Sequence, residues 1–220
     1  MSYSVAIDGP AGAGKSTIAK MVAKKLGFIY VDTGAMYRAM ALHLLRKGIS
    51  ATDSAAISAA CEDADITIRY QNGEQVVLLN GENVNGLIRT EEVGNMASSS
   101  STNGDVRKKL VSLQQRLAKT AEVIMDGRDI GTVVLPDANV KIYLTAGSDV
   151  RAKRRYDELT AKGVACDLQK IERDIIERDE RDMNREISPL RQADDAVLVD
   201  SSYMTIEEVA EKIISLINRN

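Results

Sequence analysis

Short apolar runs recur along the chain with room for a helix between most of them: Val5-Ala6-Ile7, Ile29-Tyr30-Val31, Val123-Ile124-Met125, Val140-Lys141-Ile142-Tyr143-Leu144 and Ala196-Val197-Leu198-Val199. Runs of this kind, apolar at successive positions, read as strands of a parallel sheet buried on both faces. Four of the five run into an acidic residue, Asp8, Asp32, Asp126 or Asp200. Carboxylates are thereby set at the carboxyl edge, where open α/β sheets bind ligands. Apolar spacing of three and four places helices over 15–26, 34–47 and 106–118, the last through Val106, Leu110, Leu113 and Leu117. A final helix starts after Thr205, where Glu208 completes a capping box and Val209, Ile213, Leu216 and Ile217 form the apolar stripe. The period changes between 64 and about 90. There Ile66-Thr67-Ile68-Arg69-Tyr70 and Val76-Val77-Leu78-Leu79 flank an Asn72-Gly73 pair, and Asn80-Gly81 follows at once. Such turns predict a small antiparallel meander inserted into the α/β frame.

Composition narrows the class. A length of 220 residues suits one domain with a small insertion. With 44% hydrophobic and 28% charged residues, neither disorder nor a fibrous rod fits. Lys and Arg total 29 against 32 Asp and Glu, so no general polyanion-binding surface is expected, and nucleic acid polymers are not expected partners. Cys61 and Cys166 form neither a disulfide framework nor a zinc pattern. No basic leader precedes the first strand, and no apolar run approaches the roughly 20 residues that span a bilayer. A cytoplasmic chain without membrane contact is the expectation, and its acidic surface favours a monomer. His43 is the single histidine and tryptophan is absent, which disfavours His-based triads and multi-His metal sites.

Gly9-Pro10-Ala11-Gly12-Ala13-Gly14-Lys15-Ser16 matches G-x-x-x-x-G-K-S and lies between a strand and a helix, the context a phosphate-binding loop requires. Glycines there let successive backbone N–H groups converge on phosphate oxygens, and the following helix adds the positive end of its dipole. Lys15 would neutralise the β/γ-phosphates, Ser16 would ligate Mg²⁺, and Thr17 completes the ATP-binding segment 9–17. Such a loop serves kinases, GTPases, motors and sensors alike. No Asn/Thr-Lys-x-Asp segment for reading guanine occurs.

Three further segments bear on the choice. In Asp32-Thr33-Gly34-Ala35-Met36-Tyr37-Arg38, Arg38 lies one turn inside a helix at the mouth of the first site, where its planar fork suits phosphate and Thr33 can cap the helix. In Met125-Asp126-Gly127-Arg128-Asp129, Asp126 could hold Mg²⁺ through water while Arg128 and Asp129 project into the same cleft. Residues 168–185 phase as a helix whose inward stripe runs Leu168, Ile171, Ile175 and then Arg178, Asp182, Arg185. Charges that replace apolar residues on an inward stripe point to a polar cleft holding an anion. Each segment also admits a plainer reading, as a capped surface helix, a polar turn or a helix laced with ion pairs. Upstream, Arg151, Arg154 and Arg155 begin a helix ending near Lys162-Gly163, from which an arginine could close over a phosphate.

Assembled, these segments resemble the bacterial-type cytidylate kinases among the nucleoside monophosphate kinases. The resemblance spans nearly the whole chain, through D-G-P-A-G-A-G-K-S-T at 8–17, D-T-G-A-M-Y-R at 32–38, N-G-L-I-R-T at 85–90, D-G-R-D-I-G-T-V-V at 126–134 and E-R-D-E-R-D-x-N-R at 177–185. It implies a P-loop-type three-layer α/β fold with a five-stranded parallel sheet, helices on both faces, a small antiparallel β insert and a lid. One nucleoside monophosphate kinase domain would cover 1–220, with the insert at about 64–90 and the lid at about 150–167. The implied reaction transfers the γ-phosphoryl group of ATP to CMP or dCMP with Mg²⁺. Arg38, Arg128 and Arg185 would clamp the acceptor phosphate, Arg178 and Asp182 would face its sugar, and Ser98, Arg107 and Asp129 would read the base. Thr33 and Tyr37 belong to the same acceptor motif; the family often has Ser at the first of these and Gly as well as Ser at position 16. Catalysis would rest on Lys15, Arg128, Arg185 and a lid arginine, Arg154 being taken for that role, with Ser16 and Asp126 as metal-holding residues. A different small-acceptor kinase and an ATP-sensing module are the rival readings.

Overall fold

The computed structural model describes residues 2–218. In chain order the elements are β1 (Ser4–Asp8), α1 (Lys15–Leu26), β2 (Ile29–Asp32), α2 (Thr33–Arg46), α3 (Ser54–Glu62), β3 (Ile66–Gln71), β4 (Glu74–Leu79), β5 (Glu82–Asn83), α4 (Glu91–Ser100) and α5 (Gly104–Ala118). They continue with β6 (Val123–Gly127), a five-residue π-helical turn (Ile130–Val134), β7 (Val140–Thr145), α6 (Ser148–Ala161), α7 (Leu168–Asn184), β8 (Val197–Asp200) and α8 (Ile206–Ile217).

Five strands form a parallel sheet in the order β2-β6-β1-β7-β8, and the three strands of the insert form an antiparallel sheet of their own. Each apolar run expected to be a parallel strand is one, the last beginning at Val197 instead of Ala196. Alternate side chains leave the sheet on opposite faces and build two cores. Ala6, Val31 and Met125 meet Met36, Met40 and Leu44 of α2 on one face, and this core continues into the insert through Val77, Leu79 and Ile88. Val5, Ile7, Ile124 and Ile142 meet Ile18 and Val22 of α1 and Val209 and Ile213 of α8 on the other. The capping box of α8 is present, with Glu208 N donating to Thr205 Oγ1 at 3.2 Å and Thr205 N to Glu208 Oε2 at 2.8 Å.

The pattern left two helices unseen, α3 and α4. Ser98, Ser99 and Ser100 are weak helix formers, yet they end α4, whose start is held by the Thr90 cap and by Glu91 and Glu92 in its first turn. Small residues let this helix lie close to α2: a Cβ added at Gly94 would sit 3.0 Å from Arg38 Nη1. The inward stripe proposed for 168–185 is also displaced at its start, because Leu168 is 38% exposed. Farther along, Asp179 as well as Asp182 is buried. Among the described residues no helix is long and apolar enough to cross a membrane.

Gly9 closes β1 with φ 147°, a region essentially restricted to glycine, and a Cβ there would lie 1.9 Å from the carbonyl oxygen of Leu144 on β7. Gly9→Ala is therefore expected to lower unfolding stability by at least about 3 kcal/mol in urea titration. An unchanged midpoint would show that this backbone crossing is not rigid.

Candidate functional site

Strands β1, β2 and β6 end side by side, and past their carboxyl ends lies a cavity of about 240 Å³. The loop after β1 forms one wall. Its helix α1 begins after Gly14, which takes a left-handed conformation and supplies no side-chain cap, and no acidic residue occupies the first turn. The leading N–H groups of α1 are thus left for an anion. Lys15 is buried at 5% exposure and its Nζ donates to the carbonyl of Pro10 at 2.7 Å, folding the side chain back along the loop. Burial, and then the neighbouring Arg128, pull its ammonium down to a pKa of about 7, against the attraction of Asp126 and Asp8. A phosphate at this point would restore the full charge.

Ser16 Oγ donates to Asp126 Oδ2 at 2.8 Å, and Tyr30 Oη donates to Asp126 Oδ1 at 2.8 Å. Burial, followed by repulsion from Asp32, raises the Asp126 carboxyl to about 6. A hydroxyl and a carboxylate together beside a phosphate cradle are the hard oxygen donors that Mg²⁺ takes alongside substrate phosphates.

The opposite wall is cationic. Arg128 Nε donates to Asp182 Oδ2 at 2.8 Å, so β6 and α7 meet through a charged pair. Burial opposes the charge on each, and the partner outweighs it: Arg128 is raised and Asp182 lowered from their usual values. Arg107 of α5 pairs with Asp129 in a site where both are almost wholly buried, and its guanidinium lies over the Tyr37 ring at 5.6 Å. Arg185 Nη2 approaches Asp129 Oδ1 at 3.9 Å. Among the described residues Arg178 has no carboxylate at bonding distance; burial first, then Arg128, lower it to about 10. Arg38 Nη1 donates to the carbonyl of Ile88 at 3.1 Å.

The structure brings Thr33, Tyr37, Arg38, Ser98 and Arg107 to this one cavity together with Arg128, Asp129, Arg178, Asp182 and Arg185. Ala11, Gly12, Lys15, Ser16 and Asp126 line it from the loop side. Gly9, Pro10, Ala13, Gly14 and Thr17 belong to the loop and the start of α1 without lining the cavity. Arg154 is elsewhere: its guanidinium donates to the Ser201 carbonyl at 2.7 Å and to Ser201 Oγ at 3.3 Å. Arg151 is also engaged, donating to the carbonyls of Ala11 and Ala146 and pairing with Asp179 at 2.7 Å, while Arg155 pairs with exposed Glu158.

Sequence reasoning assigned no role to Arg89 or Asp32, which face each other as an ion pair and both line the cavity. The signal was present, since Asp32 ends a strand and Arg89 lies in the N-G-L-I-R-T segment, but their meeting depends on how the insert folds back. Asp8 was seen only as a strand-end acid. Its carboxylate accepts from the N–H groups of Ile130 and Gly131, both at 2.7 Å, and so holds the π-helical turn that follows Arg128 and Asp129.

Seven cations line the cavity, Lys15 and Arg38, Arg89, Arg107, Arg128, Arg178 and Arg185, against the carboxylates of Asp32, Asp126, Asp129 and Asp182. Among the described residues, Arg107 Nε, Arg178 Nε, Arg185 Nη2 and Tyr37 Oη are buried without a hydrogen-bond partner. Unpaired buried donors are expensive, so the arrangement is complementary to an anionic, multiply accepting ligand.

The family model for cytidylate kinase matches residues 5–219. Among relatives, the cytidylate kinase of Caldicellulosiruptor saccharolyticus is 52% identical over 213 residues, covering 97% of this chain and 94% of its own. That of Shouchella clausii is 46% identical over 218 residues, with 99% and 97% covered. A gluconokinase from Sinorhizobium meliloti has a similar fold at 15% identity, with a TM-score of 0.51 over 99% of this chain and 92% of its own.

Burial raises the Asp8 carboxyl to about 6, its two backbone hydrogen bonds pulling the other way. Because the folded value exceeds the unfolded one, the native state binds more protons between about pH 4 and pH 6, and stability falls as pH rises through that window. Asp8→Asn lacks this slope. The stability difference between the natural chain and the variant should therefore change by up to about 3 kcal/mol between pH 4 and pH 7 in urea titrations. Parallel curves would contradict the raised value.

Proposed function

The chain belongs to the cytidylate kinase family, and from that membership we propose that it transfers the γ-phosphoryl group of ATP to CMP or dCMP, giving ADP and the diphosphate. The observation that carries the reading is the cavity itself, in which a phosphate-binding loop and an arginine-rich acceptor wall face each other with buried donors left unpaired. A sensor of ATP needs no second wall of this kind.

The loop N–H groups, the open end of α1 and Lys15 would hold the β- and γ-phosphates of ATP. Ser16 and Asp126 would hold Mg²⁺, which would offset phosphate charge there. Arg38, Arg128 and Arg185 would grip the acceptor phosphate. Its oxygen is already anionic at neutral pH, so no general base is required, and the chain's task is to align the two phosphates and spread positive charge over the group in flight. Arg178, unpaired at Nε, and Asp182 would meet the acceptor sugar.

Asp129 and Arg107 are held against each other at the base end, with Ser98 beside them in the cavity wall. Cytosine presents an amine donor and O2/N3 acceptors, which suits a carboxylate next to an arginine and a serine hydroxyl. Uracil presents an acceptor where Asp129 requires a donor.

Residues 64–90 would act as the acceptor-side insert and 150–167 as the lid. Arg154 can meet the transferred phosphoryl group only by exchanging its bonds to Ser201 for it. A monomer accords with the net negative charge of the chain. Two free thiols, Cys61 and Cys166, accord with the reducing cytoplasm.

Coupled measurement of ADP formation tests the reading. With ATP and Mg²⁺, CMP and dCMP should stimulate turnover strongly, and UMP, AMP and shikimate weakly; indifference to all five would sink it. Asp129→Ala should raise KM for CMP by about a hundredfold and leave KM for ATP within about twofold, because only the base end loses a partner. Equal losses for both nucleotides would remove Asp129 from base recognition.

A further inference from the structure

Strand β2 is an edge strand, paired on one side by β6. In an extended strand the N–H and C=O of one residue point to the same edge, so Tyr30 and Asp32 present theirs outward, away from β6. Among the described residues no strand covers that edge. Instead the insert reaches it across a cavity of about 740 Å³ with side chains. Gln75 Oε1 accepts from Asp32 N at 2.8 Å and Gln75 Nε2 donates to Asp32 O at 3.1 Å. One side-chain amide thus reproduces a complete rung of sheet pairing. Tyr70 Oη adds a bond to the Tyr30 carbonyl at 3.2 Å.

The same device recurs one layer outward. Asn85 Oδ1 accepts from Val77 N at 2.9 Å and Asn85 Nδ2 donates to the Gln75 carbonyl at 2.8 Å. Asn85 leads into the segment whose Ile88 carbonyl receives Arg38 and whose Arg89 pairs with Asp32. Asp32 in turn caps α2, its Oδ1 accepting from Ala35 N at 2.9 Å, and α2 carries Tyr37 and Arg38. Hydrogen bonds and the chain between them close a ring: β2 to Gln75, to Asn85, along the chain to the 88–89 segment, to Arg38, and through α2 back to Asp32.

We propose that Gln75 is a positioning residue for the acceptor nucleotide, fixing the insert against the end of β2 so that Arg38 and Arg89 are held at the acceptor end of the cavity. The proposal rests on the kinase reading above. Gln75 itself does not line that cavity, so it acts through Asp32 and the 88–89 segment. The base of the insert is held separately, by Val77, Leu79, Val84 and Ile88 in the core shared with α2. Removing the rung leaves Asp32's backbone groups beside an open cavity where water can reach them, so it should loosen the insert without unfolding the chain.

Gln75→Leu should raise KM for CMP about tenfold, the worth of two neutral hydrogen bonds, while KM for ATP stays within about twofold and the melting temperature hardly moves. Gln75→Glu supplies a second readout. Its carboxylate faces the Asp32 carbonyl without a proton to donate, whereas the protonated form can restore both bonds. The ratio of its KM for CMP to that of the unaltered chain should fall as pH is lowered towards the carboxyl pKa. Two results overturn the proposal: an unchanged KM for CMP in Gln75→Leu, or a joint rise of both KM values with a lowered melting temperature. Should the leucine variant fail to fold, a pH-independent ratio for Gln75→Glu overturns it. If the unaltered chain shows no ADP formation dependent on CMP, the kinase reading fails; if it does and Gln75→Leu matches it, Gln75 alone is excluded.

Discussion

Seven cationic side chains around one largely buried cleft repel one another, and the rest of the site is arranged to contain that repulsion. Four aspartates stand between them. Asp182 faces Arg128, Asp129 faces Arg107 with Arg185 beyond it, Asp32 faces Arg89, and Asp126 lies within the field of Lys15. The containment is incomplete. Arg38, Arg178, Arg185 and Lys15 are all shifted down, burial being the first cause in each case and a neighbouring arginine the second. A cleft still repulsive after its own carboxylates are counted is complementary to an anion, and under the proposed function that preorganisation would stabilise charge in a phosphoryl transfer.

The aspartates can do this because of where a parallel sheet ends. Strands β1, β2 and β6 are neighbours or next neighbours and finish level, Asp8 opposite Gly127 and Asp32 opposite Asp126. Each terminal carboxylate has a different task set by its surroundings. Asp8 holds the turn after Arg128 and Asp129, Asp32 caps the helix bearing Arg38, and Asp126 collects the hydroxyls of Ser16 and Tyr30. The loop wall and the cationic wall are thereby fastened to one edge.

Local signals made the frame and the loop legible. Buried parallel strands are apolar at successive positions, and the phosphate loop is contiguous, so neither depends on distant contacts. The cationic wall of the cavity was readable where a helix phase or a strand end pointed inward, as with Arg178, Asp182 and Arg128. Pairings between residues far apart in sequence were not legible: Arg89 with Asp32, Arg151 with Asp179, and Arg154 with Ser201. Helix α4 escaped because its serines carry low propensity, and what keeps them helical is close packing against α2, a tertiary effect. Leu168 was placed inward by phase, but α7 runs outward at that end and the apolar side chain meets solvent.

The buried Arg107–Asp129 pair adds little to folding, since desolvating two charges offsets much of their attraction. Its value lies in fixing direction. Asp129 is held by Arg107 from one side and approached by Arg185 from another, while the π-helical turn behind it is fixed through Asp8. Arg107 in turn lies over the Tyr37 ring and keeps one donor, Nε, unspent. An acceptor and a donor held side by side in a buried wall can tell an exocyclic amine from a carbonyl without first rearranging. Under the proposed function, that is how a cleft rich in arginine, whose charge would bind many phosphates alike, would choose among the bases attached to them.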